Sequence, residues 1–238
     1  MTGLAGRRAL VTGGTRGIGA AIAERLAADG AHVVVTGTSP QGKAPGGCEF
    51  RAADFADRRA VQALADSVDG MDVDILVNNA GINRIAPFAE IDPADFDAIH
   101  DINLRAAFLL CRAAVPGMRR RRWGRIINIA SIFSTISREL RASYSASKFG
   151  MDGMTAALAA EVASDGILAN CVSPGVIDTE LTRRVLGEAG MAALAERIPA
   201  RRLGRVEEIA AFVAFLAGPE NTYISGQNLV IDGGFTRV

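Results

Sequence analysis

The amino-acid sequence predicts an α/β fold in which residues 1–238 form one domain around a doubly wound sheet of seven parallel strands, with helices on both faces. Three observations predict it. Short apolar runs rich in Val and Ile alternate with longer segments in which Ala and Leu recur at helical spacing. The runs are continuously apolar, which is typical of parallel strands buried on both faces. The length of 238 residues fits one core, because chains divide into domains beyond roughly 250–300 residues.

The predicted strands and helices alternate along most of the chain. Six strands are clear apolar runs, and Cys48–Ala53 is a weaker candidate. Each helix is predicted as a crossover that returns the chain to start the next parallel strand. The clear strands are Ala9–Thr12, Val33–Val35, Ile75–Val77, Arg125–Ile129, Ile167–Val172 and Leu229–Ile231, and the predicted helices are Ile18–Asp29, Arg58–Val68, Asp92–Met118, Tyr144–Ser164 and Glu207–Leu216.

Two segments interrupt this alternation. Thr38–Gly47 is rich in Pro and Gly and forms a loop where a full crossover helix is expected. Thr179–Arg205 is helical but irregular, and it follows the carboxyl end of the sixth strand. Long insertions at such strand ends are often lids or binding loops. We therefore expect a substrate lid over residues 178–205.

Composition excludes several classes of protein. The 26 basic and 26 acidic residues cancel, so no long-range field favours nucleic acid or an acidic membrane as a partner. No apolar stretch approaches the roughly 18 residues of a membrane span, and the N-terminus lacks a signal-peptide pattern. The run Arg119–Arg122 is expected to be solvated at a helix end rather than bound to nucleic acid.

Cysteine and histidine are too scattered to suggest a metal site. Cys48, Cys111 and Cys171 form neither a disulfide framework nor a metal-binding pair, which favours a reducing cytoplasm. His32 and His100 lie far apart along the chain and have no ligand partners at suitable spacing. The sequence therefore predicts a cytoplasmic protein without a metal.

The turn after the first strand is rich in glycine. Thr12–Gly19 reads TGGTRGIG and joins the first strand to the first helix. Glycines let the backbone turn tightly and let a phosphate approach closely, while a helix N-terminus offers N–H groups to an anion. The spacing differs from the general G-x-G-x-x-G fingerprint, and a glycine-rich turn alone is often only structural. Its position after strand one favours a dinucleotide site.

A tyrosine and a lysine share one helix face. Tyr144 and Lys148 are four positions apart, in a chain with only two tyrosines. An ammonium beside a phenol stabilises the phenolate, so we expect Lys148 to lower the pKa of Tyr144 from its usual value of about 10. Such a phenol is a general acid and base. The alternative is a surface tyrosine beside a solvated lysine.

These motifs together resemble the short-chain dehydrogenases/reductases. The order is the glycine turn, Asn78-Asn79-Ala80-Gly81 after the fourth strand, Ser131, the Tyr144–Lys148 pair, and Pro174-Gly175. The resemblance extends from Leu4 to Gly234 and, within the family, is greatest to the 3-oxoacyl-(acyl-carrier-protein) reductases. It implies a Rossmann-like fold and a carbonyl or alcohol substrate.

The resemblance also implies roles for individual residues. Tyr144 would exchange a proton with the substrate oxygen, which Ser131 would hydrogen-bond. Lys148 would hold the nicotinamide ribose, and Asn103 would anchor a water in a proton relay. The implied cofactor contacts are Gly13, Thr15, Arg16, Gly17, Ile18 and Gly19 in the glycine turn; Thr38 and Ser39; Asp54 and Phe55; Asn79, Ala80 and Gly81; Tyr144 and Lys148; and Pro174, Gly175, Ile177 and Thr179.

The end of the second strand favours NADP(H) over NAD(H). An acidic residue about 20 positions past the glycines usually binds the ribose of NAD. The segment from Val33 to Gly47 contains no Asp or Glu. Thr38, Ser39 and Arg16 instead offer donors suited to a 2′-phosphate, and Lys43 is a weaker candidate.

The leading expectation is an NADPH-dependent reductase of a small carbonyl substrate, most simply a 3-oxoacyl thioester. Asp165 stands where those reductases usually have a basic residue and is expected to repel an acidic carrier protein, leaving Arg125, Arg138 and Arg141 as docking charges. The charged segment Phe133–Arg141 would suit a polar or anionic substrate equally well. The alternatives are a sugar, polyol or secondary-metabolite alcohol dehydrogenase, and a dinucleotide-binding regulator without turnover. The resemblance implies a homotetramer.

Overall fold

A computed structural model describes residues 3–238 and contains one sheet of seven parallel strands. The strand order is β3-β2-β1-β4-β5-β6-β7, which confirms the predicted doubly wound fold. The strands are β1 (Arg8–Val11), β2 (His32–Gly37), β3 (Cys48–Ala52), β4 (Ile75–Asn78), β5 (Gly124–Ile129), β6 (Ile167–Pro174) and β7 (Asn228–Ile231). The weaker candidate is thus a strand, at the edge of the sheet beside β2.

Seven α-helices accompany the sheet in the described residues 3–238. They are α1 (Gly17–Ala28), α2 (Arg58–Val68), α3 (Pro93–His100), α4 (Ala106–Arg121), α5 (Ala142–Val162), α6 (Glu180–Arg197) and α7 (Val206–Ala217). Side chains that accept backbone N–H groups mark several of their starts. Asp57 caps α2, Asp92 caps α3 and Thr179 caps α6.

The predicted helix Asp92–Met118 is interrupted by a π-helical turn. Asp101–Arg105 joins α3 to α4 without a break in the helical path. Such turns are rare and occur frequently at functional sites. This one buries Asn103 completely, and Asp101 within it forms a bidentate ion pair with Arg58 at 2.9 and 3.0 Å. Apolar periodicity gives no sign of the turn, because one extra residue barely alters the pattern.

Two apolar layers hold the helices to the sheet. On one face Ile22 and Leu26 of α1 pack with Val213 of α7, and all three are fully buried. On the other face Leu64 of α2 and Leu110 of α4 belong to a second cluster, together with residues of α5. The central strands are therefore covered on both sides, which explains their continuously apolar sequences.

The strand order places a crevice at the carboxyl edge of the sheet. β1 lies between β2 and β4, so the connections from β1 and β4 leave in opposite directions. Ligands bind at such switch points in open α/β sheets. The glycine turn, Asn79, Ser131 and Gly175 all follow directly after strands that end at this edge.

Candidate active site

Ser131 and Tyr144 meet at the carboxyl end of β5. Ser131 lies beyond the strand end, is 8% exposed, and accepts a hydrogen bond of 3.2 Å from the N–H of Phe133. Tyr144 is in the first turn of α5 and is half-buried. Burial raises the pKa of Tyr144, while side-chain hydrogen bonding with Ser131 and the positive charge of Arg141 act in the opposite direction.

The prediction that Lys148 lowers the pKa of Tyr144 is wrong, because the pKa of Tyr144 is raised. The Lys148 ammonium lies 5.7 Å from the centroid of the Tyr144 ring and donates a hydrogen bond of 2.7 Å to the carbonyl oxygen of Ile129. Desolvation of the phenol outweighs the hydrogen bond with Ser131 and the charge of Arg141, so the pKa of Tyr144 is raised. Burial also lowers the pKa of Lys148, which is 3% exposed, to about 8.

Asn103 connects α5 to the loop after β4. Its Nδ2 donates to the carbonyl oxygen of Ile82 at 2.9 Å and to Ser147 Oγ at 3.1 Å, and its Oδ1 accepts from the N–H of Ile82 at 2.8 Å. Ser147 Oγ in turn donates to the carbonyl oxygen of Tyr144 at 2.7 Å. Sequence reasoning missed Ser147, although it stands beside Lys148, because a serine there is equally compatible with solvent.

A second polar cluster lies behind Ser131. The Ser134 hydroxyl is 2.6 Å from the carbonyl oxygen of Ser131 and 2.9 Å from the hydroxyl of Ser173. Asn228 completes the cluster, because its Oδ1 accepts from Ser173 and its Nδ2 donates to Ser134. These groups come from distant parts of the sequence, so no local motif predicts them. Together they fix the backbone that carries Ser131.

The glycine turn forms a cradle at the start of α1. Gly13 and Gly17 have φ values of +62° and +56°, and a Cβ on Gly17 would meet nothing closer than Thr179, at 3.8 Å. The first backbone hydrogen bond of α1 runs from Ala20 to Arg16. Among residues 3–238, the N–H groups of Gly17, Ile18 and Gly19 have no protein acceptor. Open space, free donors and a helix N-terminus fit a pyrophosphate.

Asn79 and Ala80, two of the implied cofactor contacts, pack against Gly13 of this cradle. Asn79 Nδ2 donates to the carbonyl oxygens of Thr12 and Gly13 at 3.0 and 3.1 Å, so its carboxamide clamps the turn. Asp54 accepts from the N–H of Ala56. Phe55 is buried and Ala80 is half-buried, whereas Gly81 is exposed.

Polar side chains surround the end of β2, where the Ser39 hydroxyl donates to Gln41 Oε1 at 3.3 Å. The N–H of Gly13 donates to Thr36 Oγ1 at 3.1 Å, which ties β2 to the glycine turn. Thr38 and Ser39 follow and are exposed. Arg16 is also exposed, and within residues 3–238 it makes no ion pair or side-chain hydrogen bond. Thr15 packs against Gly37 beside them.

The other wall of the crevice begins at β6. Pro174 ends the strand, and the N–H of Gly175 donates to Ile231 at 2.9 Å. Ile177 is 5% exposed, while Thr179 approaches the glycine turn. From there α6 extends over the segment predicted as a lid. The structure describes no buried residue in α6, and Gly187 interrupts its helical geometry with a φ of +64°.

Three charge interpretations need correction or refinement. Arg125 is 5% exposed at the start of β5, the edge opposite the crevice, so it is not a docking charge. Asp165 lies at that same edge and pairs with Arg119 and Arg122 at 2.7 and 3.1 Å. Its compensated charge therefore offers no argument against an acidic partner at the crevice.

The arginine run also makes specific contacts. Each of its four members pairs with acidic side chains in neighbouring loops, rather than being merely solvated. Among residues 3–238 there is no group of three or more His, Cys, Asp or Glu side chains that could hold a metal ion. None of the helices described is both long and apolar enough to cross a membrane.

Comparison with known proteins gives consistent matches over nearly the whole chain. A family model described as Enoyl-(Acyl carrier protein) reductase matches residues 13–236. The 3-oxoacyl-[acyl-carrier-protein] reductase FabG of Vibrio cholerae is 42% identical over 245 residues, covering 99% of each chain. FabG of Escherichia coli is 40% identical over 242 residues, covering 98% of each chain.

A solved structure extends the comparison. The gluconate 5-dehydrogenase from Burkholderia cenocepacia in complex with NADP and tartrate is 35% identical, with a TM-score of 0.90, covering 100% of this chain and 98% of that one. The matches span the glycine turn, the crevice and the lid segment. The chain therefore belongs to the short-chain dehydrogenase/reductase family of oxidoreductases.

Proposed function

We propose that the protein is an NADP(H)-dependent oxidoreductase that interconverts a carbonyl group and a secondary alcohol. The observation that carries the proposal is the meeting of Ser131, Tyr144 and Lys148 at the carboxyl edge of the sheet, beside the glycine cradle. When bound, the cofactor supplies a hydride to the substrate carbon in reduction and accepts one in oxidation. The chain's own residues bind the cofactor, orient the substrate and exchange a proton with the substrate oxygen.

Tyr144 acts as the proton donor in the reducing direction. Its raised pKa keeps the phenol protonated at neutral pH, so a proton is available for the substrate oxygen. Ser131 orients that oxygen and stabilises the negative charge that develops on it. Lys148 supports the phenolate after proton transfer and binds the nicotinamide ribose. Asn103 fixes the backbone at Tyr144 through Ser147 and belongs to the proton relay expected from the resemblance.

Cofactor binding is assigned to three groups of residues. The N–H groups at the start of α1 hold the pyrophosphate, and Arg16, Thr38 and Ser39 hold the 2′-phosphate that distinguishes NADP from NAD. The nicotinamide end is assigned to the wall that follows β6. The remaining assignments follow the resemblance, with Asp54 at the adenine amino group, Phe55 as a further cofactor contact, and Asn79, Ala80 and Gly81 at the adenine ribose.

A 3-oxoacyl thioester is the first candidate substrate. Relatives that are 40–42% identical over nearly the full chain are 3-oxoacyl-[acyl-carrier-protein] reductases. A sugar acid is the second candidate, because the similar gluconate 5-dehydrogenase was solved with NADP and tartrate, and because a cationic side chain, Arg141, acts on Tyr144. Residues 178–205 are proposed as the lid over either substrate.

A substrate panel tests the proposal. The purified protein is mixed with NADPH and acetoacetyl thioester, and with NADP⁺ and gluconate or polyols, while absorbance of the reduced cofactor is followed. Turnover of the thioester supports the first candidate, and turnover of gluconate supports the second. Cofactor binding without turnover across the panel would leave a binding protein and contradict the proposed activity.

We also propose a homotetramer located in the cytoplasm. Phe108 of α4 and Phe149 of α5 are 49% and 45% exposed, although both are large and apolar. Phe108 lines a groove of about 410 Å³ together with Leu104, Gly150 and Met154, and Phe149 is the neighbour of Gly150 on α5. Single-chain surfaces rarely expose such patches without a partner. The cysteines at 48, 111 and 171 are all free, which suits a reducing compartment.

A further inference from the structure

We propose that Arg141 is a substrate-recognition residue that binds a carboxylate on the carbonyl or alcohol substrate. The proposal rests on the oxidoreductase activity proposed above and names the class of substrate: small oxo or hydroxy acids with a free carboxylate a few bonds from the reacting carbon. The proposal does not require the protein to act on a 3-oxoacyl thioester.

Arg141 is fixed beside the reacting phenol by an aromatic stack. It immediately precedes α5, and its guanidinium carbon lies 5.5 Å from the centroid of the Phe133 ring. Phe133 packs edge to face on Tyr144, with 6.3 Å between ring centroids. A guanidinium on an aromatic face is held in orientation without losing its hydrogen-bond donors. The cation therefore stands next to the position that a substrate bound to Tyr144 would occupy.

The guanidinium has no acceptor of its own. Within residues 3–238, Arg141 makes no side-chain hydrogen bond or ion pair, and its Nε is buried without a partner. The neighbouring Glu139 is engaged with Arg138 at 3.9 Å. Two other arginines near the crevice are paired, Arg183 with Asp178 and Arg202 with Glu208. Buried donors in native proteins are nearly always satisfied, so an acceptor from a ligand is the simplest partner.

The chemistry of the group selects a carboxylate. A guanidinium presents a planar fork of donors that matches the two oxygens of a carboxylate. Arg141 has no compensating anion within residues 3–238, and burial and the charge of Arg138 lower its pKa. A substrate carboxylate would supply that anion. The acyl chain of a thioester carries no such charge near its reacting carbonyl.

The experiment compares two substrates with the same reacting group. Acetoacetate and its neutral ethyl ester share the 3-oxo carbonyl and differ in charge. In Arg141→Gln, we expect kcat/KM for acetoacetate to fall about 10- to 100-fold, mainly through KM, because a charge-assisted hydrogen bond is lost. The value for the ester should stay within about 2-fold, as for a substitution that removes no contact.

Arg138→Gln is the matched control, because it removes the same charge, three residues away, from an exposed side chain, and its expected docking role concerns a carrier protein that neither test substrate carries. It should leave both substrates nearly unchanged. An equal loss for acid and ester in Arg141→Gln would mean that Arg141 contributes only through the pKa of Tyr144, without contacting a substrate carboxylate, and would overturn the proposal. If the two variants lost activity toward acetoacetate equally, the effect would come from general positive charge rather than from a specific contact with Arg141. That result would also overturn the proposal.

A binding measurement separates this inference from the proposed activity. Titration calorimetry measures acetoacetate binding to the Tyr144→Phe protein loaded with NADPH, with and without Arg141→Gln. Binding that depends on Arg141 upholds the inference even if the wild-type protein reduces neither compound. Absence of binding, or binding that is insensitive to Arg141, contradicts it even if the ester is reduced.

Discussion

The Lys148 ammonium donates a hydrogen bond of 2.7 Å to the carbonyl oxygen of Ile129, the last residue of β5. This contact holds the lysine between the sheet and the first turns of α5, where it is almost fully buried. Burial without an anionic partner lowers its pKa to about 8, so its charge is lost near that pH rather than near 10.5. The position of one side chain thus makes the proposed chemistry sensitive to mildly alkaline conditions.

The first prediction concerns this pH dependence. Below about pH 8 the Lys148 ammonium is present, and above it the amine is neutral. We expect kcat/KM for carbonyl reduction to fall as the pH rises through about 8, because the cation that supports the phenolate disappears. Steady-state rates from pH 6 to about 10 measure this. Lys43→Met should retain the profile, since Lys43 is exposed in a loop. A rate that rises through pH 8 would contradict the assignment.

Tyr144 has a natural control within the chain. Tyr144→Phe removes the proposed acid and should lower kcat about 10²- to 10⁴-fold, with NADPH binding retained. Tyr223, the chain's other tyrosine, is 95% exposed, and Tyr223→Phe should be fully active. Steady-state rate assays measure the activity of the two variants, and cofactor fluorescence measures their NADPH binding. Residual activity of Tyr144→Phe near the wild-type level would be incompatible with its role.

Cofactor preference is tested at the start of α1. Arg16→Gln should weaken NADPH binding about 10- to 100-fold, because a charge-assisted contact to the 2′-phosphate is removed. NADH binding should be almost unaffected, since NADH lacks that phosphate. Fluorescence titration with both cofactors measures the difference, and Arg25→Gln, which removes a positive charge from the last turn of α1, serves as the control. Equal weakening for NADPH and NADH would show that Arg16 does not contact the phosphate.

Ser147 is predicted to stabilise the protein through Asn103. Ser147→Ala leaves the buried Asn103 Nδ2 with one acceptor fewer and should reduce the free energy of unfolding by about 1–3 kcal/mol. Ser164→Ala is the control, because Ser164 is exposed and its hydroxyl makes no hydrogen bond within residues 3–238, so the change should matter by less than about 0.5 kcal/mol. Urea denaturation measures both. Equal stability of the two variants would speak against the buried connection.

Oligomerisation is tested at the groove between α4 and α5. Phe108→Glu and Phe149→Glu each place a charge in the exposed apolar surface and should yield smaller species in light scattering. Val185→Glu, on α6, changes another exposed apolar residue and should leave the size unchanged. A wild-type monomer at micromolar concentration would end the tetramer proposal.

Local patterns predicted most of the fold and the composition of the candidate site. Continuous apolar runs predicted six of the seven strands, because a strand covered on both faces has few polar positions, whereas the weaker candidate Cys48–Ala53 became the exposed edge strand β3. The spacing of Tyr144 and Lys148 predicted that they share a helix face, since α5 covers both. The π-helical turn at Asp101–Arg105 was not predictable, because one additional residue hardly changes helical periodicity.

The sequence by itself determined the strand and helix order and which reactive side chains the protein contains. Only the tertiary structure decided the electrostatics of those side chains. The pKa of Tyr144 rises rather than falls because desolvation depends on every element packed around α5. Likewise Asn228 joins Ser134 and Ser173 only because β7 pairs with β6. Burial and long-range pairing are properties of the folded chain, so no local spacing specifies them.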